Sequence, residues 1–134
     1  MPEKTTVEKA RADLRAGKSP TTAAGEFVRE EIEHIRQGKH GARSPEQAIA
    51  IGLSKARRAG VPLKPPKKGQ AKKSTRRSAA RDYEVGQGKR KPRRASRKRS
   101  TAMRRRLKRE PKSTVSSRAL SRHAKTVARK RKKA

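Results

Sequence analysis

HGARSPEQAIAIGLSKARRAG (residues 40–60) holds a helix start, an apolar face and a helix stop in a single run. Ser44, Pro45 and Gln47 make a proline-led capping box. The serine hydroxyl can accept from a first-turn amide, and proline suits the first helical position, where no donor is missed. Ala48, Ile49, Gly52, Leu53 and Ala56 then fall on one face at three- and four-residue steps, with Ile51 just off it. Gly60 can take the left-handed conformation after the last turn, and Pro62 blocks continuation. Gly52 costs about 1 kcal/mol relative to Ala inside a helix, which predicts the close approach of another helix there. These signals predict a helix over 45–59.

Upstream, Ser19 can cap a second helix and Pro20 opens it. Ala24, Phe27, Val28, Ile32 and Ile35 share one face, and Gly38 and Gly41 end the run, which predicts a helix over 20–37. Glu30, Glu31 and Glu33 read as a solvated face rather than a catalytic carboxylate cluster. Further upstream, Thr5 and Glu8 form a capping box, followed by Val7 and Leu14 and closed by Gly17, which predicts a short helix over 6–16. Residues 1–62 therefore read as a small helical domain, a helical hairpin or a three-helix head. Phe27, Val28, Ile32, Ile35, Ile49 and Leu53 form its packing or partner face, which also suits pairing as a homodimer. Domains of this size are marginal without such help.

Downstream the physics changes. GVPLKPPKKG (60–69) favours extended backbone, and residues 63–73 read as a Pro/Lys linker. Residues 1–62 hold twelve Lys or Arg against eight Asp or Glu, a net of +4. Residues 63–134 hold thirty bases against Asp82, Glu84 and Glu110, a net of +27 out of +31 for the chain. Hydrophobic residues are 28% and charged residues 40%, with one Phe, one Tyr and no Trp. Such a composition offers little burial to offset chain entropy. Residues 74–134 are thus expected to be a polycationic tail, largely disordered or helical only when phosphate neutralises its charge. Short helical signals recur within it, around Ala79, Ala80 and Tyr83, around Met103 and Leu107, and along Leu120, Ala124, Val127 and Ala128.

Several chemistries are excluded or disfavoured. No cysteine means no disulfide and no thiolate metal site. The glycines form no phosphate-binding loop. His34 and His40 are six apart, a spacing that matches no common zinc pattern, so a solvated histidine near a helix end is the reading. A lone Tyr83 is too little for base stacking, which normally uses several aromatics, and reads as packing on its own helix. No enzyme, cofactor, metal or small-molecule substrate is expected. No apolar run approaches the roughly 20 residues of a membrane helix, and the N-terminus has no hydrophobic centre. A soluble cytoplasmic protein with no membrane partner is the expectation.

The remaining partner is nucleic acid. The expected contacts are Lys67, Lys68, Lys72, Lys73, Arg76 and Arg77; then Lys89, Arg90, Lys91, Arg93, Arg94, Arg97, Lys98 and Arg99; then Arg104, Arg105, Arg106 and Lys108; and finally Arg129, Lys130, Arg131, Lys132 and Lys133. No finger, zipper heptad or aromatic platform accompanies them, so binding should follow the phosphate backbone without reading sequence. The Pro-flanked runs PPKK and KPRR resemble linker-histone tails in composition. DNA is favoured over RNA, and an RNA-binding or ribosome-associated role is the alternative.

Residues 24–63, the stretch RRSAARDYEVGQGK (76–89), and the tail segments LKRE and SRALSRHAK resemble a family of small basic bacterial proteins of unknown function. Its members are often labelled DNA-binding or histone-like. The resemblance implies an intracellular bacterial origin and association with DNA, and it names no catalytic residue.

Overall fold

The computed structural model describes residues 3–94 and 96–133, and among them the protein is mainly helical with no strand. The helices are α1 (Lys4–Arg15), α2 (Pro20–Arg36), α3 (Pro45–Arg58), α4 (Lys73–Gly86), α5 (Arg97–Arg109) and α6 (Ser117–Lys133), with a 3-10 turn at Ser113–Val115.

The helix starts follow local chemistry. Ser19 Oγ accepts from the Thr22 amide at 3.3 Å, and Ser44 Oγ accepts from the Gln47 amide at 3.2 Å. Gln47 Oε1 returns to the Arg43 amide at 2.6 Å, one residue before the box predicts. The stop after α3 is a Schellman motif: the Gly60 amide reaches Arg57 O at 3.1 Å and the Val61 amide reaches Ala56 O at 3.1 Å. Gly60 has φ +104°, the left-handed region glycine occupies at no steric cost. One start differs from expectation. Thr5 already lies inside α1, and Glu3 holds the cap position without a side-chain cap. Its amide donates instead to Glu30 Oε1 at 2.7 Å, a tertiary bond that displaces the local Thr5–Glu8 box.

The chain forms two compact units, divided within α2 and within α3. The first comprises residues up to Glu30 together with Ala50–Arg94. Its core is Ala10, Ala23, Ala24, Phe27, Ala56 and Val61, with Val7, Leu14, Leu53, Ala59 and Leu63 packed against it. Small residues dominate, so the helices approach closely. A Cβ on Gly52 would fall 2.6 Å from Val28 Cα. The end of α4 reaches the end of α3 in the same way: a Cβ on Gly86 would overlap the Arg57 carbonyl. Asp82 of α4 accepts from Ser54 Oγ at 2.7 Å. Arg57 is buried, its guanidinium donating to Leu63 O at 3.1 Å and Lys64 O at 3.4 Å. Burial pushes its pKa down, and the charge on Asp82 opposes that shift.

The second unit comprises Glu31–Ile49 and the residues after Arg94. Its core is Ile35, Ala42, Ala48 and Val115, with Ile32 alongside. The loop between α2 and α3 meets the α5–α6 connection directly. The Gly41 amide donates to Leu107 O at 2.7 Å, and the Ala42 amide to Pro111 O at 2.9 Å. Thr114 Oγ1 donates to Ala42 O at 2.9 Å, and Arg36 Nε to Val115 O at 3.2 Å.

Residues 74–134 therefore differ from the expected disordered tail. Their sparse apolar side chains find burial: Ala79 is 5% exposed and Val115 is 0% exposed. Their carbonyls and Asp82 meet donors on the α2–α3 hairpin. Bulk composition underweights this, because a few well-placed contacts suffice when the segment is already rich in helix formers.

Candidate nucleic-acid interface

Of the thirty bases after residue 62, only Arg76 and Arg81 are half-buried among those described; the others are exposed. The side chain of Lys133 lies outside the described residues. Lys67, Lys68, Lys72, Lys73, Arg76, Arg77, Lys89, Arg90, Lys91, Arg93 and Arg94 belong to the first unit. Arg97, Lys98, Arg99, Arg104, Arg105, Arg106, Lys108, Arg129, Lys130, Arg131 and Lys132 belong to the second.

α5 is the most cationic element, RKRSTAMRRRLKR, and none of its residues is buried. Cations at three- and four-residue spacing repel along such a helix, so local charge works against it while Arg and Lys propensity works for it. Glu110 gives one compensating contact, 3.7 Å from Arg106 Nε. Met103 is 53% exposed. In the first unit, Arg90 pairs with Glu84 at 3.0 Å. Nearby, Tyr83 and Ala80 of α4 line an open groove of about 680 Å3 with Lys64, Lys67 and Lys89. Tyr83 thus faces a cation-lined groove as well as its own helix, a placement that residue spacing alone could not reveal.

The expected packing face lies largely inside the units. Phe27 and Ile35 are 1% and 0% exposed, while Val28, Ile32, Ile49 and Leu53 are half-buried. Val28 meets Gly52, Leu53 packs on the first core and Ile32 on the second.

The acidic face departs most from its sequence reading. Glu33 is exposed, but Glu30 is 6% and Glu31 1% exposed. Glu31 is flanked by two imidazoles: His34 Nδ1 is 3.7 Å from Oε1, and His40 Nε2 is 3.3 Å from Oε2. Both histidine side chains are largely covered, at 14% and 18% exposure, rather than solvated. Donor atoms of Glu31, His34 and His40 all lie within 4.8 Å of one another. The spacing rule considered only the two histidines, whereas the usable signal is Glu31-x-x-His34, an (i, i+3) pair on one helix face, closed by a histidine returning after Gly38. The third histidine, His123 of α6, lies 3.2 Å from Glu46 at the start of α3.

No described helix is long and apolar enough to cross a membrane. Comparison with family models, curated proteins and solved structures returns no match to this chain.

Proposed function

We propose that the protein is a non-enzymatic, histone-like DNA-binding protein that contacts the phosphate backbone without sequence preference and can bridge or compact DNA in the bacterial nucleoid. One observation carries the reading: a net of +27 over residues 63–134, with nearly every described base on the surface. That much like charge is costly to leave uncompensated, and a polyphosphate compensates it while releasing condensed counterions. Most of these bases sit on helices, so they would meet DNA with part of their ordering entropy already spent. Phosphate contact would also relieve the cation repulsion along α5 and strengthen that helix.

Titrating full-length protein against unrelated duplexes of equal length, then against structured RNA at matched salt, tests this. Duplex affinities should agree within a few-fold, with DNA preferred. A strong preference for one duplex would indicate sequence reading. Preference for RNA would assign the protein to the ribosome-associated alternative.

A further inference from the structure

We propose that Glu31, His34 and His40 form a three-ligand site for a divalent transition-metal ion of the zinc class, with water completing the coordination. Three observations converge on it.

The first is geometry. A tetrahedral ion with bonds of about 2.0–2.1 Å holds neighbouring donor atoms roughly 3.3–3.4 Å apart. One Glu31 oxygen lies 3.7 Å from His34 Nδ1 and the other 3.3 Å from His40 Nε2, and one donor atom from each of the three residues lies within 4.8 Å of the others, so rotation of these side chains toward one point would seat such an ion. Glu31 and His34 project from one face of α2, and His40 returns to them from the following loop.

The second is the proton inventory. His40 Nδ1 lies 2.9 Å from Gly41 O. A carbonyl only accepts, so Nδ1 carries the hydrogen, and the lone pair of the neutral ring is on Nε2. That nitrogen faces Glu31 Oε2 at 3.3 Å, acceptor against acceptor. A cation belongs between them, either a metal ion or a proton making imidazolium. A backbone carbonyl fixing the distal ring nitrogen is also the usual support for a metal-binding histidine.

The third is burial and charge. Glu31 is 1% exposed, so bulk water competes little for its oxygens. Two neutral imidazoles and one carboxylate are a borderline set that suits Zn(II) and disfavours Mg(II) or Ca(II), which require oxygen ligands. The ion would tie the last turns of α2 to the loop at 38–42. Through the Gly41 and Ala42 amides, that loop holds the α5–α6 connection. Metal would therefore stabilise the unit carrying the most cationic helix, independently of whether that helix binds DNA.

The test uses full-length protein without an affinity tag, titrated with Zn(II) by calorimetry and with Co(II) by visible absorption. One equivalent should bind, Co(II) should give the intense bands of a tetrahedral site, and Zn(II) should raise the unfolding temperature. His40→Gln and Glu31→Gln should each weaken binding by about 100-fold or more, since losing even a supporting contact costs 10–100-fold. His123→Gln should leave binding unchanged. Circular dichroism of each variant separates ligand loss from misfolding, and long-range imidazole nitrogen spectra of the unaltered protein provide a reading that needs no variant. Zn(II) should shift His34 and His40 and spare His123. Absence of one-equivalent binding, equal binding by a His34→Gln, His40→Gln double variant, or imidazolium signals that Zn(II) leaves unmoved would overturn the proposal and assign the gap to a proton.

Discussion

Gly52 in α3 lies against the backbone of Val28 in α2: a Cβ built on Gly52 would fall 2.6 Å from Val28 Cα and 2.9 Å from its Cγ2. The first contact is with backbone, so a side-chain rotation cannot relieve it. Alanine would gain about 1 kcal/mol of helix propensity, but prying the helices apart costs typically 1–3 kcal/mol and more when backbone must move. Gly52→Ala should therefore destabilise the protein by about 1–2 kcal/mol. Gly25, exposed in α2 with nothing within 4 Å of its Cβ position, should show the opposite sign. Gly25→Ala should stabilise by about 0.5–1 kcal/mol. Urea midpoints of the two variants check the pair together, and a stabilising Gly52→Ala would contradict the close α2–α3 approach.

Val115 lies far along the cationic half of the chain yet is wholly buried with Ile35, Ala42 and Ala48. Removing its two methyl groups should cost about 2 kcal/mol, from lost transfer energy plus a residual cavity. Val115→Ala should also speed amide exchange at Gly41 and Ala42, whose protons are held by Leu107 and Pro111 carbonyls. Unchanged stability and exchange would mean that residues after 95 are detached in solution.

Glu46 has a pKa held below its ordinary value of 4.5. The main cause is a hydrogen bond from its own backbone amide. Slight desolvation opposes this, and the Ser44 hydroxyl and the charge on His123 lower it further. A depressed carboxylate stabilises the fold above its unfolded pKa, and that contribution is lost as pH falls through the folded value. The first turn of α3 should therefore hold at pH 5 and loosen only below 4.5. The Glu46 carboxyl carbon, followed by NMR, should titrate below 4.5, and His123→Gln should move its midpoint upward. A midpoint at or above 4.5 in the unaltered protein would remove the cap interaction.

Helices α2 and α3 were legible because their signals are local. Ser19, Ser44, Pro20, Pro45 and Gly60 each act within a turn of themselves, and Gly52 announced its neighbour by being a costly choice inside a helix. Three features were not legible, all for the same reason: they depend on residues distant in sequence. Glu30 and Glu31 look like surface carboxylates because charged residues are seldom buried unless paired, and although His34 is on the same helix, the Glu3 amide and the His40 ring that also meet them lie outside it. The order of residues 74–134 rests on Asp82, Gly86 and Val115 meeting the α2–α3 hairpin, and mean hydropathy averages those few residues away. The displaced cap of α1 is the smallest case, a tertiary bond to Glu30 overriding a local motif.

The central proposition is that the surface cations bind DNA by replacing its counterions, and the salt dependence of affinity tests it most directly. Full-length protein should bind duplex DNA with a log–log slope near −9 if about ten phosphates are neutralised. Replacing the exposed Arg97, Lys98, Arg104 and Arg105 of α5 with Gln should make that slope shallower by up to about 3.6, with the helix content kept. A slope near zero, or affinity undiminished in molar salt, would contradict it.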